Sequence, residues 1–296
     1  MIKRTNAGKG SIVDIIYMSV MSVFFYILAL TVPLAGFLLP VYKIKNMLAM
    51  KKGKMIIFNI SVPLAIMVIT RVLDVVFNIP FDPVKTIGCY LAIFLPIEIL
   101  YYIFFKMKYF VKIFDRIIIT GVLISVLVFV YLQFAGEEVE LIRKTLEDFY
   151  LKKYNITSQE LTSVFKVMKD NALYIIYSYL GGMIYLTYYS LNRGDYSKWK
   201  ISYQWLLFYI IPFLIMRFTD IKNIYLVNIM TMAKISFIVY GIKILYNFMV
   251  RKSRTSINIV GQVLAIIIGF SFPNITFILG GLQCFEVFKV KVIKEK

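Results

Sequence analysis

The apolar residues of this chain fall in long blocks separated by short, charged links. The blocks cover 12–42, 55–77, 86–105, 117–134, 172–191, 203–216, 225–250 and 257–288. A helix needs roughly 20 predominantly apolar residues to cross the hydrocarbon of a bilayer, and these blocks approach or exceed that length. The pattern predicts an all-α fold, a polytopic transmembrane helical bundle with about eight membrane segments. It also predicts one integral membrane domain over 1–296, with an extracytoplasmic helical insertion at 136–171.

The first and last blocks are each about 30 residues, or roughly 45 Å as helix at 1.5 Å per residue. Pro33, Gly36 and Pro40 interrupt the first; Pro273, Gly280 and Gly281 interrupt the last. Broken or re-entrant segments at both ends accommodate these residues, with single long tilted helices as the alternative. In the insertion, Val139, Ile142, Leu146 and Phe149 make one helical stripe, and Leu161, Val164, Phe165 and Met168 a second. Thr157 and Glu160 have the spacing of a capping box that opens the second helix. Such helices suit the membrane surface or the roof of a cavity, and equally a hairpin packed on the bundle.

Charge orients the pattern. The links 43–54, 106–116, 193–200 and 251–254 are basic, whereas 78–85, 136–171 and 217–222 carry less net positive charge. The positive-inside rule places the first set, and both termini, in the cytoplasm of a multi-pass cell-membrane protein. Lys3, Arg4 and Lys9 precede the first block as in a secretory signal, but the block is far longer than a signal core and is expected to be retained.

Composition agrees, with 60% hydrophobic residues and a mean hydropathy of +0.78. The net charge of +18 is spread over the links instead of gathered on one soluble face, so the lipid bilayer is the expected partner and nucleic acid is not. Cys89 and Cys284 lie inside apolar blocks and read as small hydrophobes. The chain has no histidine, which removes Ser-His and Cys-His nucleophile systems and the usual zinc sites. No phosphate-binding loop, dinucleotide fingerprint or metal-ligand spacing is present, so no catalytic residue, metal or cofactor is expected.

Charges inside membrane blocks cost on the order of 2.5 to 3.5 kcal/mol and normally face a partner or a cavity. Glu98, two residues after Pro96, and Lys234 are the leading candidates, as an ion pair or as side chains snorkelling to an interface. Arg71 and Asp74 near the end of the second block recur in form as Arg217 and Asp220 near the end of the sixth, each an i to i+3 pair suited to a structural role. Tyrosines crowd the fifth block around Gly181 and Gly182; close helix packing explains the glycines, and a ligand cavity walled by Glu98, Tyr177 and Tyr185 is the alternative use of the rings. Such a site is expected to open outward beneath 136–171.

Two terminal motifs carry a resemblance. Pro-Leu-Ala-Gly-Phe-Leu-Leu-Pro at 33–40, followed by its basic link, and Phe-Ile-Leu-Gly-Gly-Leu-Gln-Cys-Phe-Glu-Val-Phe-Lys at 277–289 resemble the YybS-like family of bacterial polytopic membrane proteins. Gln283 and Lys289 stand near the positions where that family commonly carries an aspartate and an Arg-Lys pair. The family is in turn similar to substrate-binding components of energy-coupling-factor transporters. The resemblance implies a small-molecule ligand and a membrane or cytoplasmic ATPase partner. Three uses of such a chain differ in kind: a transporter or substrate-binding component, a scaffold acting through its external loop, and a lipid-modifying enzyme.

Overall fold

The computed structural model describes residues 12–77, 82–107, 112–134, 136, 140, 143–145, 147, 149–150, 157–219, 223–250 and 258–287. The described elements are helical throughout, with no strand among them. The first block breaks as expected. Helix α1 (Ile12–Thr31) ends before a 3₁₀ turn at Pro33–Ala35, and the chain resumes as α2 (Leu38–Ala49). Pro33 makes the break; Pro40 sits in the first turn of α2, where a missing N–H costs nothing.

Helices α3 (Lys52–Phe77), α4 (Pro83–Cys89) and α5 (Leu95–Met107) follow, the last two joined by a π-helical turn at Tyr90–Phe94. After α6 (Ile113–Phe134) come α7 (Ser158–Asp170), α8 (Ala172–Asn192), α9 (Gln204–Thr219) and α10 (Ile224–Val250). The last block breaks at Pro273 into α11 (Asn258–Ser271) and α12 (Pro273–Cys284), bent by 109°. Gly280 and Gly281, expected to interrupt this block, instead continue α12.

Five helices are long and apolar enough to cross a membrane, or six if the bent α11–α12 pair is one span, so the expected eight segments are not reached among the described residues. Two blocks account for the difference. Helix α9 has only 16 residues, with Pro212 inside it. Helix α8 is 21 residues long, but six tyrosines, two serines and Asn192 reduce its apolarity.

The helices cluster as two compact units. One comprises Met1–Tyr109 with Gly182–Arg193; the other comprises Phe110–Gly181 with Gly194–Lys296. In the first, α3 buries Phe58, Val62 and Ile66 on one face and exposes Ile57, Ile60, Leu64, Met67 and Val68 on others. A helix apolar all round, with only one stripe covered by protein, is suited to lipid on the remainder. In that unit the Tyr26 ring packs edge-on against Tyr90 and Phe94, and its hydroxyl donates to Thr86 O at 2.6 Å.

The second unit is built on α10, which packs against α9, α11 and α12. Glycines set the closest approach. A β-carbon at Gly241 would lie 2.1 Å from Thr276 O, and one at Gly280 would lie 2.2 Å from Phe237 O, so α10 and α12 touch backbone to backbone. Gly121 on α6 admits the Tyr177 ring and lies close to Gly181, in keeping with the expected role of that glycine; a β-carbon at Gly182 would meet nothing within 4 Å, contrary to the packing role expected there.

The expected capping box is present at α7. The Thr157 N–H donates to Glu160 Oε2 at 3.0 Å, and Thr157 Oγ1 accepts from the Glu160 N–H at 3.3 Å. The Thr157 backbone donor, with its hydroxyl second, holds the Glu160 carboxyl below its ordinary value of 4.5. A depressed carboxylate stabilises the fold above its unfolded pKa, and the effect is lost as pH falls through the folded value. Amide exchange in the first turn of α7, corrected for intrinsic rates, is therefore expected to accelerate as pH drops below 4.5, and Thr157→Ala should give fast exchange at every pH. Protection indifferent to pH in the parent chain would contradict the role given to Glu160. Of the first amphipathic stripe, Val139, Ile142 and Leu146 lie outside the described residues.

Candidate functional site

Glu98 has a lysine partner, but the partner is Lys43. Both side chains are fully buried, and Lys43 Nζ lies 2.5 Å from Glu98 Oε2. The same ammonium donates to the Tyr90 hydroxyl and sits 5.0 Å and 5.7 Å from the ring centres of Tyr90 and Phe58. All four residues belong to the first unit.

The π turn brings the two acceptors together. Pro96 has no N–H for the carbonyl of Ala92, and the strain is relieved by widening the helix, with the Leu95 N–H bonding Tyr90 O five residues back. Tyr90 and Glu98 are eight residues apart, whereas two α turns take about 7.2 residues. The extra residue absorbed by the π turn corrects this overshoot and puts both side chains on the face that meets α2. On α2 five of the six buried positions, Leu39, Pro40, Lys43, Ile44 and Met47, form one helical stripe, with Val41 beside it.

Burying this pair is costly unless the remaining lone pairs are satisfied. Glu98 Oε1 has no hydrogen-bond partner among the described residues. The ammonium is thus held by one carboxylate oxygen, one phenol and two ring faces, while the second carboxylate oxygen is buried without a hydrogen-bond partner among the described residues. Such a constellation can take up a proton or donate and accept hydrogen bonds to a polar group that enters it.

The other expected site residues make contacts of their own. Tyr177 is buried in the second unit, its hydroxyl 2.6 Å from Ser236 Oγ. Tyr185, in the first unit, stacks on Tyr189. Lys234 is half-buried on α10 in the second unit, while Lys243 on the same helix is only 3% exposed. The Lys243 ammonium is drawn in by two carbonyls, Ser197 O and Trp199 O, each at 2.9 Å. Lys234, a leading candidate from its place in the apolar block, is thus less deeply buried than Lys243. Arg71 and Asp74 form the expected i to i+3 pair at 2.7 Å, with Arg71 68% exposed and so of small energetic weight. Arg217 is exposed at the end of α9, and Asp220 lies outside the described residues.

Asp115, not singled out by sequence reasoning, is buried at the start of α6 and accepts from the Ser202 N–H at 2.8 Å, the Ser202 hydroxyl at 2.5 Å and Trp205 Nε1 at 3.0 Å. Together with Lys243 it pins the link that follows α8, whose Tyr196, Trp199 and Ile201 are buried. Beyond the spans, the Lys200 ammonium beside Glu286 holds that carboxyl below its ordinary value. No group of metal-ligating side chains occurs among the described residues.

Comparison with family models, curated proteins and solved structures returns no match to this chain. Its functional reading therefore rests on its own residues.

Proposed function

We propose that this integral membrane protein is a transport component, a small-molecule transporter or the substrate-binding part of one, with Lys43, Tyr90 and Glu98 as its polar centre. One observation carries the reading: a fully buried lysine–carboxylate pair within apolar helices, with Glu98 Oε1 left without a partner among the described residues. An ionisable group at membrane depth is expensive to maintain and usually marks a substrate or ion path. Lys43 opens the basic link 43–54, so the positive-inside rule assigns the pair to the cytoplasmic half of its helices. Access to Glu98 is then from that side, instead of beneath 136–171 as the sequence alone suggested.

Native mass spectrometry of the purified chain tests the reading. The parent protein should retain a small polar molecule, and a Lys43→Met/Glu98→Leu double variant, which keeps the volume and removes both charges, should lose it while remaining folded. A parent chain that carries nothing, or a double variant that carries the same species equally well, would remove the basis for transport at this centre.

A further inference from the structure

A second polar feature lies in the second unit, independent of the buried pair. A cavity of about 190 Å³ is lined by Lys112, Lys198, Lys200 and Lys243 with Glu286 as the one carboxylate in its wall; Lys198 pairs with Asp195 at 2.7 Å and Lys200 with Glu286, which leaves the charges of Lys112 and Lys243 in excess around one small space. Two of these ammoniums are engaged by neutral partners. Lys243 donates to Ser197 O and Trp199 O, and Lys112 donates to Ile201 O at 3.3 Å. Carbonyl dipoles solvate an ammonium without neutralising it, and among the described residues no carboxylate forms an ion pair with Lys112 or Lys243. Lys243 is nevertheless 3% exposed. Holding an uncompensated cation at that depth is unfavourable, and an anion in the cavity would offset it.

The cavity's position matches such an anion. Three of its lysines belong to the links 106–116 and 193–200, which the charge pattern assigns to the cytoplasmic membrane surface, and Lys243 projects from α10 toward the 197–199 backbone. Basic pockets at that level between membrane helices suit phosphate-bearing headgroups. Asn247 adds a neutral hydrogen-bonding group to the lining, so the site offers a phosphate both charge and directional contacts.

We infer that the cavity bounded by Lys112, Lys198, Lys200 and Lys243 binds a phosphate group, carried by an anionic phospholipid or by a free phosphate anion. The test is native mass spectrometry of the full chain in detergent, titrated separately with phosphatidylglycerol, phosphatidylcholine and inorganic pyrophosphate. The variant Lys198→Gln/Lys200→Gln removes two exposed lining charges and leaves the buried Lys243 clamp intact. Lys51→Gln/Lys52→Gln removes the same charge from a link of the first unit.

Phosphatidylglycerol should bind more tightly than phosphatidylcholine, weaken with salt, and lose on the order of 30-fold in affinity in the Lys198/Lys200 variant, from the contribution of a lysine near an anionic lipid surface. The Lys51/Lys52 variant should bind like the parent. Displacement of the lipid by pyrophosphate, or tight binding of pyrophosphate alone, identifies a free phosphate as sufficient; phosphatidylglycerol binding that pyrophosphate does not disturb identifies the headgroup. Equal retention of both lipids with no pyrophosphate binding overturns the inference. So does an equal loss from the two lysine variants, or no loss from the Lys198/Lys200 variant.

Discussion

Glu98→Leu is expected to destabilise the chain by about 3–5 kcal/mol, because it leaves the Lys43 ammonium buried with only a phenol and two rings around it. Lys43→Met should cost a similar amount by stranding the carboxylate. The double variant is expected to recover most of the loss, since replacing a buried pair with apolar groups of similar volume is often neutral or favourable. Equilibrium unfolding in mixed micelles, run as a double-mutant cycle, measures the coupling directly. Additive single effects would mean that the two charges do not depend on one another. Combined with ligand retention, the cycle separates two roles: a double variant as stable as the parent but empty of ligand locates the pair's purpose in binding.

The second large effect is steric. Gly241→Ala or Gly280→Ala places a β-carbon 2.1 to 2.2 Å from a carbonyl oxygen of the facing helix, and backbone cannot rotate away as a side-chain tip can. Each substitution is expected to exceed the about 1–3 kcal/mol usual for overpacking, because α10 and α12 must separate along their contact. Gly182→Ala is the control. It meets nothing within 4 Å and sits inside α8, so it should stabilise by about 0.5–1 kcal/mol. The same unfolding assay reads all three. Parent-like stability for Gly241→Ala would show that the two helices are less closely apposed than described.

Much of the candidate site was within reach of the sequence, yet its pairing was not. Glu98 stood out because a carboxylate inside an apolar block is rare and costly. Lys43 was grouped with a basic link, although its place on the stripe of Leu39, Pro40, Ile44 and Met47 marks it as facing inward. Lys234 and Lys243 show the converse. Depth in the apolar block favoured Lys234, but burial of a long side chain is decided by what its terminal group can reach, and only Lys243 reaches the carbonyls of the 197–199 link.

By itself the sequence determined the helical membrane class and the capping box at Thr157 and Glu160, and it marked Pro33 and Pro273 among the residues able to break the end blocks. Each follows from local chemistry: block length against bilayer thickness, a side chain within reach of its own backbone, and a missing N–H. Tertiary structure decided which charges meet. Neither the partnership of Glu98 with Lys43 nor the gathering of lysines around one cavity has a sequence period, because residues such as 43 and 98, or 112 and 243, come together only when separate helices pack. It also decided which glycines matter. Gly182 and Gly280 look alike along the chain, and only a facing backbone at van der Waals distance makes one of them irreplaceable.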